Sequence, residues 1–319
     1  MKSADSAVVD VLLATFEGAR FLKAQLDSLA AQTYPHFRVL VRDDGSTDET
    51  LEILRAFERD MPLGRVRWVE NAQPGRGALR NFEGLMAASL QDGVARWCMF
   101  CDQDDVWLPN KVEVMVHAMI EIDDPENDEV PCLVHCDLRV VDVNLQTIAD
   151  SFMRQQAIEV RAMHLHTLLS VNHVTGCAMM INRVLLSRAL PIPEQAVMHD
   201  WWCALLSEPQ RRCFVEDPLV LYRQHGGNQL GARSRALGAR VRRLLRDGPQ
   251  SMRRVCWLGR ATVAQAQALQ YRQREVGLDD SVVASYLRWR GLPRWRQLLN
   301  YRAMYPGPEL DRLCRLLLW

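Results

Sequence analysis

Residues 100–109, Phe-Cys-Asp-Gln-Asp-Asp-Val-Trp-Leu-Pro, put three carboxylates within four positions: Asp102, Asp104 and Asp105. Like charges held this close repel, so such a cluster usually needs a cation to offset the cost. Aspartate oxygens are hard ligands, which favours Mg²⁺ or Mn²⁺ over zinc. Mg²⁺ held by one or two carboxylates commonly leaves its other positions to water and substrate phosphates. A plainer reading of the same residues is an acidic turn capping a helix that begins near Pro109.

Three further groups have chemical potential. Val39-Leu-Val-Arg-Asp-Asp-Gly-Ser-Thr-Asp48 carries the pair Asp43 and Asp44, which turn chemistry before a helix would also explain. Met198-His-Asp-Trp-Trp202 sets Asp200 between His199 and Trp201. Cys98-x-x-Cys101 and Cys132-x-x-x-Cys136, with His135, have spacing that a zinc site could use. Strand neighbours alternate faces, however, so Cys98 and Cys101 would point apart. Small buried hydrophobes are the better reading of these cysteines.

Rigid elements must stand behind these side chains. The apolar run Trp97–Cys101 reads as a buried strand that delivers Asp102 and Asp104 to its carboxyl end, where open α/β sheets bind ligands. Val8–Ala14, Phe37–Arg42 and Val66–Val69 read as further strands. Phe21, Leu22, Gln25, Leu26 and Leu29 follow helical spacing, and Ala78–Leu90 predicts another helix. Ser46-Thr-Asp-Glu49 has the form of a capping box opening a helix with Leu51, Leu54 and Phe57 on one face. Alternation at this spacing implies βαβ units and an α/β fold with a mostly parallel central sheet. The later runs Cys132–Val134, Cys177–Ile181 and Leu219–Tyr222 would complete or extend it.

Beyond about Ala232 strand signals fade and the sequence predicts helices, interrupted at Gly248-Pro249, Gly291-Leu-Pro293 and Pro306-Gly-Pro308. Leu237, Val241, Leu244 and Leu245 form the apolar stripe of a helix whose remaining surface is rich in arginine. The expected organisation is therefore an α/β domain over 1–230 and a helical, basic region over 231–319. At 319 residues and 48% hydrophobic, the chain is long enough for both. The formal net charge of zero hides a split: from Leu230 to Trp319 there are 18 Arg, no Lys and 6 acidic residues, a formal +12. An arginine-rich region beside an acidic body suggests an anionic partner. Nine scattered cysteines fit a reduced, cytoplasmic protein. The polar first residues predict no signal peptide, and no apolar run reaches the roughly 18 residues that span a bilayer.

Taken in order, the strand ending in Thr15-Phe-Glu-Gly18, the D-D-G-S-T-D element, the D-Q-D-D-V-W-x-P element and His199-Asp-Trp201 resemble the family 2 glycosyltransferases. These are inverting nucleotide-sugar enzymes with the fold named GT-A. The resemblance covers roughly residues 7–228, and its two acidic elements are specific as a pair. Asp-Gln-Asp-Asp-Val-Trp, with Tyr222-Arg-Gln-His225 downstream, looks most like the bacterial rhamnosyltransferase-like branch.

The resemblance implies roles residue by residue. Thr15 and Glu17 would line the base and ribose pocket. Asp44 would accept from the pyrimidine N3–H, with Asp43 the alternative if the register slips by one. Arg80 would lie near the ribose or diphosphate, unless it belongs to a solvated helix face. Asp102 would face the ribose or the metal, and Asp104, with His225, would ligate a Mg²⁺ or Mn²⁺ ion that bridges the diphosphate. Gly176 would allow close approach beneath the donor sugar, and Arg223 would contact phosphate or sugar. Asp200 matches the catalytic aspartate, which relatives usually precede with an acidic residue; here that neighbour is His199, which would tune the site or touch sugar. Trp201 and Trp202 could stack on sugar, with one of them expected in the core.

The partners implied are a nucleotide-sugar donor, with dTDP-L-rhamnose the best guess, and a cell-surface glycan or lipid-linked acceptor. No nucleic-acid partner is expected. The processive Q-x-x-R-W signature is absent, which points to one sugar per encounter. The basic region would hold the enzyme peripherally on the inner face of the cytoplasmic membrane, or else pack on the acidic body or form a homo-oligomer interface. Two other enzyme classes fit less well. A sugar-nucleotide pyrophosphorylase would carry a glycine-rich phosphate loop after its first strand, and a dinucleotide oxidoreductase a G-x-G-x-x-G. A non-catalytic nucleotide-binding scaffold would not need every one of these carboxylates.

Overall fold

The structure is a computed structural model and describes residues 6–124, 129–156, 158, 160, 164–226 and 237–299. It divides into two compact units. The first takes residues 1–155, 174–192 and 206–232; the second takes 156–173, 193–205 and 233–319.

The first unit is built on one mixed sheet. It opens with β1 (Val9–Thr15), α1 (Ala19–Ala30), β2 (Phe37–Asp43), α2 (Thr50–Asp60), β3 (Val66–Trp68), α3 (Ala78–Asp92) and β4 (Trp97–Cys101). It continues with β5 (Val106–Trp107), α4 (Lys111–Ile120), β6 (Leu133–Val141), β7 (Thr147–Ala149) and α5 (Phe152–Gln155). The strand order is β3-β2-β1-β4 and then β8 (Met179–Asn182), β6, β9 (Arg212–Arg223) and β5, with β7 on β6. The first four strands are mutually parallel, and β8 runs antiparallel between β4 and β6. Helix α7 (Arg183–Ala189) follows β8, its first turn capped by the Asn182 side chain accepting from Leu185 N.

Both faces of the parallel strands are covered, which explains why their sequences are largely apolar, with Asp10 of β1 paired to Arg38 of β2 at 2.8 Å. Val11, Leu13, Val39, Val41, Met99 and Cys101 share a core with Leu22, Leu26 and Leu29 of α1 and with Val112, Met115 and Met119 of α4. Leu12, Leu40 and Phe100 turn to the opposite face, where Phe82 of α3 meets Phe100 edge-on at 5.7 Å. The cysteines follow the same logic. Cys98 meets Ser89 Oγ at 3.1 Å, whereas Cys101 accepts from Gln25 of α1 at 3.1 Å, so the pair faces two different layers and forms no zinc site.

Two strands run well beyond their apolar runs. β6 continues through the polar residues His135, Asp137 and Arg139, and β9 begins seven residues before Leu219. The register between them shifts on both sides of Asp137, which lies opposite Pro218. A proline lacks the N–H that the ladder needs and is accommodated in a strand at such irregularities. The Asp137 carboxylate accepts from Leu138 N, Met153 N and Ser151 Oγ, which fastens α5 to this bend.

The second unit is helical: α6 (Leu165–Leu168), α8 (His199–Leu206), α9 (Leu237–Glu275), α10 (Ser281–Arg290) and α11 (Arg294–Leu299). Its core holds Ala266, Leu269, Val283, Tyr286 and Trp289. Gln265, wholly buried on α9, accepts from Val197 N at 2.8 Å just ahead of α8. The break expected at Gly248-Pro249 does not occur, because α9 runs on through both residues. Proline removes one donor from a ladder, which interrupts a single hydrogen bond of a long helix without ending it. The break at Gly291-Leu-Pro293 is present between α10 and α11. Pro306-Gly-Pro308 and Leu316–Trp319 lie outside the described residues.

Candidate active site

The carboxyl ends of β1, β2 and β4 lie side by side, so the loops after Thr15, Asp43 and Cys101 form one rim. Loop 15–18 is held from two sides. Thr15 Oγ1 donates to Asp43 Oδ2 at 2.7 Å. The Gln103 carboxamide grips Phe16 like a missing strand, accepting from its N–H at 2.9 Å and donating to its carbonyl at 2.8 Å. A Cβ on Gly18 would sit 2.3 Å from Gln103 Oε1, so only glycine leaves room for that grip. Glu17 adopts a left-handed backbone, φ 49°, and its exposed carboxylate accepts from Thr47 N and Oγ1 at 2.7 and 2.9 Å.

The Asp43-Asp44 pair is bound into the protein. Asp43 accepts from Gly45 N at 3.0 Å and from Ser46 N and Oγ at 2.7 Å each. This network replaces the predicted capping box. Ser46 is spent on Asp43 and on Glu17 N, so α2 starts at Thr50, whose N–H and hydroxyl Asp48 accepts instead. Asp44 is buried, and its carboxylate accepts from Gly75 N, Gly77 N and Asn71 Nδ2 at 3.0, 2.8 and 3.1 Å. It therefore ties down loop 70–77 and keeps little accepting capacity for a base. Arg80 is no solvated helix residue: one of its terminal nitrogens reaches Glu83 at 2.6 Å and the Ile192 carbonyl at 2.8 Å. Those contacts fasten α3 to the segment after α7.

The acidic loop 102–105 is arranged differently. Asp104 Oδ2 lies 2.8 Å from His225 Nε2, across 121 positions of sequence. Pairing of β5 with β9, Val106 against Leu221, carries the end of β9 to this loop. Asp102, Asp105 and Cys177 each offer a ligand atom, all within 4.8 Å of one another. Asp105 is fully buried, and burial, then the neighbouring Asp104 and Asp102 charges, push its carboxyl well above the usual carboxylate range. Its Oδ1 accepts from Arg223 N at 3.0 Å. Clustered carboxylates that raise one another's proton affinity are what a divalent cation relieves. Oxygen and imidazole donors suit Mg²⁺ or Mn²⁺, and the Asp104–His225 pair fits such an ion better than the inward-facing Cys177 thiol does.

Arg223 is buried, and two of its nitrogens donate to the backbone carbonyls of Asp104 at 2.8 Å and Val143 at 2.6 Å. Gly176 opens a short 3-10 turn, Gly176–Ala178, directly before β8. Beneath that turn Lys111 is wholly buried, donating to the Cys177 carbonyl at 2.6 Å and lying 3.2 Å above the Trp107 ring. Gln103 and Lys111 were not singled out by sequence reading. A lysine in the first turn of a helix opposes the helix dipole, and that was the available signal for Lys111.

His199, Asp200 and Trp201 belong to the second unit, on the first turn of α8. Asp200 is largely buried and accepts from Trp201 N at 2.6 Å, a bond that supports the helix start. Burial pushes the His199 imidazole down to about 3, so the ring is neutral at ordinary pH. Both indoles are buried: Trp201 donates to the Leu168 carbonyl at 2.6 Å, and Trp202 lies under the Arg272 guanidinium at 5.9 Å. The expectation that one of the two joins the core is thus exceeded, and Trp201 offers no open ring face for stacking on sugar.

A sequence profile described as Glycosyl transferase family 2 matches residues 10–188. The dTDP-rhamnosyl transferase RfbG of Shigella flexneri is 23% identical over 229 residues, 69% of this chain and 74% of that protein. A glucosyltransferase of Escherichia coli, WfgD, whose name gives a diphosphoundecaprenol-linked acceptor, is 26% identical over 117 residues, covering 37% and 43% of the two chains. The match spans only 39% of an uncharacterized Nostoc glycosyltransferase and 52% of one from Rickettsia prowazekii. Among solved structures, S. aureus TarS 1–349 with UDP-GlcNAc aligns over 97% of this chain and 89% of its own, with TM-score 0.56 at 14% identity. The mannosyltransferase PcManGT of Pyrobaculum calidifontis, with GDP-Man and Mn²⁺, aligns over 96% and 82%, with TM-score 0.50 at 18% identity. Both likenesses concern the fold, which is the mixed α/β arrangement that the sequence predicts.

Proposed function

The chain belongs to glycosyl transferase family 2, and from that premise we propose that it transfers a sugar from a nucleotide-sugar donor to an acceptor hydroxyl with inversion. The observation that supports this reading is the Asp104–His225 pair, assembled from two distant segments at the acidic loop after β4. Asp104 and His225 would hold a Mg²⁺ or Mn²⁺ ion, with Asp102 facing the ribose or the ion. Such an ion, when bound, supplies Lewis-acid stabilisation to the departing nucleoside diphosphate. Thr15, Glu17 and the Asp43-Asp44 turn would shape the base and ribose pocket. Asp200, with a reference pKa of about 3.9 for its residue type, would take the acceptor hydroxyl's proton as the new bond forms.

The donor proposed is dTDP-L-rhamnose, in keeping with the Asp-Gln-Asp-Asp-Val-Trp wording and with the rhamnosyl transferase relative. The acceptor proposed is a cell-surface glycan or its lipid-linked precursor, in keeping with the diphosphoundecaprenol named for the E. coli relative. An arginine-rich C-terminal region suits peripheral attachment to the anionic inner leaflet, each engaged residue contributing on the order of 1 kcal/mol. Among the described residues no helix is long and apolar enough to cross a membrane.

Incubation with dTDP-rhamnose, UDP-sugars and GDP-sugars, with Mn²⁺ or with EDTA, tests the reaction through nucleoside diphosphate release. Release from a single donor that stops in EDTA supports the proposal; full release in EDTA removes the metal. For the membrane, flotation with anionic and neutral vesicles at low and high salt is decisive. Vesicle binding that survives truncation after Gly231 would end that part of the reading.

A further inference from the structure

His225 and Asp104 meet at the end of a short strand pairing whose last bonds are made by side chains. Toward the candidate ligands, the pairing of β5 with β9 ends at Val106–Leu221, short of both. Beyond that point side chains continue the job. Asp105 Oδ1 accepts from Arg223 N at 3.0 Å, in the position of the next ladder bond. The Arg223 side chain turns back and donates through Nε to the Asp104 carbonyl at 2.8 Å, closing a ring around the two chain segments. Its other arm donates to the Val143 carbonyl at 2.6 Å, which anchors that ring to the loop between β6 and β7. Its guanidinium carbon lies 4.7 Å over the Phe21 ring, which Arg20 also approaches at 4.8 Å and against which His225 lies at 4.8 Å, centroid to centroid. Phe21 thus contacts both the guanidinium and the imidazole.

We propose that Asp105 and Arg223 form a clamp that holds His225 in register with Asp104, which makes Arg223 a positioning residue for the cation and not a contact to phosphate. The proposal rests on the reading of Asp104 and His225 as cation ligands. Planarity is what the clamp uses: a fork of N–H donors reaches two carbonyls at once, which a lysine ammonium on a flexible stem does not reproduce. A phosphate contact, by contrast, needs chiefly a positive charge, and lysine supplies that.

The test titrates the purified full chain with Mn²⁺ alone, read by electron paramagnetic resonance, and separately with thymidine diphosphate in EDTA, read by calorimetry. Loss of a group that orients metal ligands typically costs about 10- to 100-fold in metal affinity. Arg223→Gln and Arg223→Lys are both expected to lose Mn²⁺ affinity in that range and to bind thymidine diphosphate in EDTA as the wild type does. Phe21→Leu, which leaves the buried hydrogen bonds intact, is expected to weaken Mn²⁺ binding less while leaving the thermal unfolding midpoint close to wild type. Wild-type Mn²⁺ affinity in Arg223→Gln, or in Phe21→Leu should the arginine variants not fold, overturns the clamp. So does a loss of diphosphate affinity in Arg223→Gln that Arg223→Lys restores. A wild-type protein that binds no Mn²⁺ removes the cation reading and the clamp together, whereas Mn²⁺ binding unaltered by these variants removes the clamp alone.

Discussion

Two acidic loops lie at the same end of the sheet and use their carboxylates in opposite ways. Asp43 and Asp44 face inward to N–H and O–H donors: Gly45, Ser46, Thr15, Gly75, Gly77 and Asn71 together occupy most of their accepting positions. The loop at 102–105 has Asp104 opposite an imidazole, and its neighbour Asp105 raised in pKa by burial and by the adjacent charges. The first loop is a turn that builds itself; the second stores electrostatic repulsion that a cation would relieve. Residue type is the same in both. The number of protein donors already aimed at each carboxylate separates a structural aspartate from one with capacity for a ligand.

The largest expected effect breaks this contrast directly. Asp104→Ala should abolish metal-dependent transfer, since Lewis-acid stabilisation of several kcal/mol corresponds to on the order of 10³-fold in rate. Mn²⁺ affinity should fall with it and stay unchanged in Asp43→Ala; equal losses in both variants would erase the distinction between the loops. Next in size, Asp200→Asn should keep nucleotide-sugar affinity and lower kcat by at least about 10²-fold, the lower range for removing a general base. Full activity in that variant would move the base elsewhere.

How much of this was legible depended on whether the signal was local. The parallel strands announced themselves because burial on both faces makes a run such as Trp97–Cys101 apolar throughout. β6 and β9 were seen only in part, because His135, Asp137 and Pro218 interrupt their pattern and the bend at Asp137 absorbs the mismatch. Asp102, Asp104 and His225 were legible as residues, yet their meeting depends on the β5–β9 pairing of segments more than a hundred positions apart. The Asp43 network was hidden for the opposite reason. Ser46 satisfies the pattern of a capping box, but a carboxylate three residues earlier competes for its hydroxyl and takes it. Gln103 carried no local signal, because its role lies in bonds to the N–H and the carbonyl of Phe16, 87 positions away.

A smaller effect sharpens the same comparison. Asp44→Ala leaves the Gly77 N–H without its acceptor, while Gly75 N–H keeps the Asp44 carbonyl, and should cost about 1–3 kcal/mol of stability. In a domain of this size each kcal/mol lowers the melting temperature by roughly 2–4 °C. Asp44→Asn retains one acceptor oxygen and should lose less. If Asp44→Ala melts like the wild type but loses nucleotide affinity, Asp44 serves the base and the inward view of this loop is wrong.

The smallest effect concerns a second pair of like residues, His225 and His199. His225 faces a carboxylate, whereas burial pushes the His199 imidazole down to about 3 in the folded protein. In the unfolded chain the same ring titrates near 6.5. Between those two values the unfolded state binds a proton that the folded state refuses, so stability contributed at this site rises with pH and falls as the solution is acidified through the window. Lowering the pH from 7 to 5 should therefore cost about 2 kcal/mol through His199, near the limit of about 1.4 kcal/mol per pH unit for one group. His199→Gln cannot take up that proton in either state. Its overall stability is set by how well the amide packs in the buried position, but its stability should fall less between pH 7 and 5 than that of the wild type by roughly the same 2 kcal/mol. Urea unfolding of both proteins at the two pH values measures the difference. Parallel slopes would mean that His199 is protonated, or reached by solvent, in the folded state, and that Asp200 has an ionisable neighbour on α8 after all.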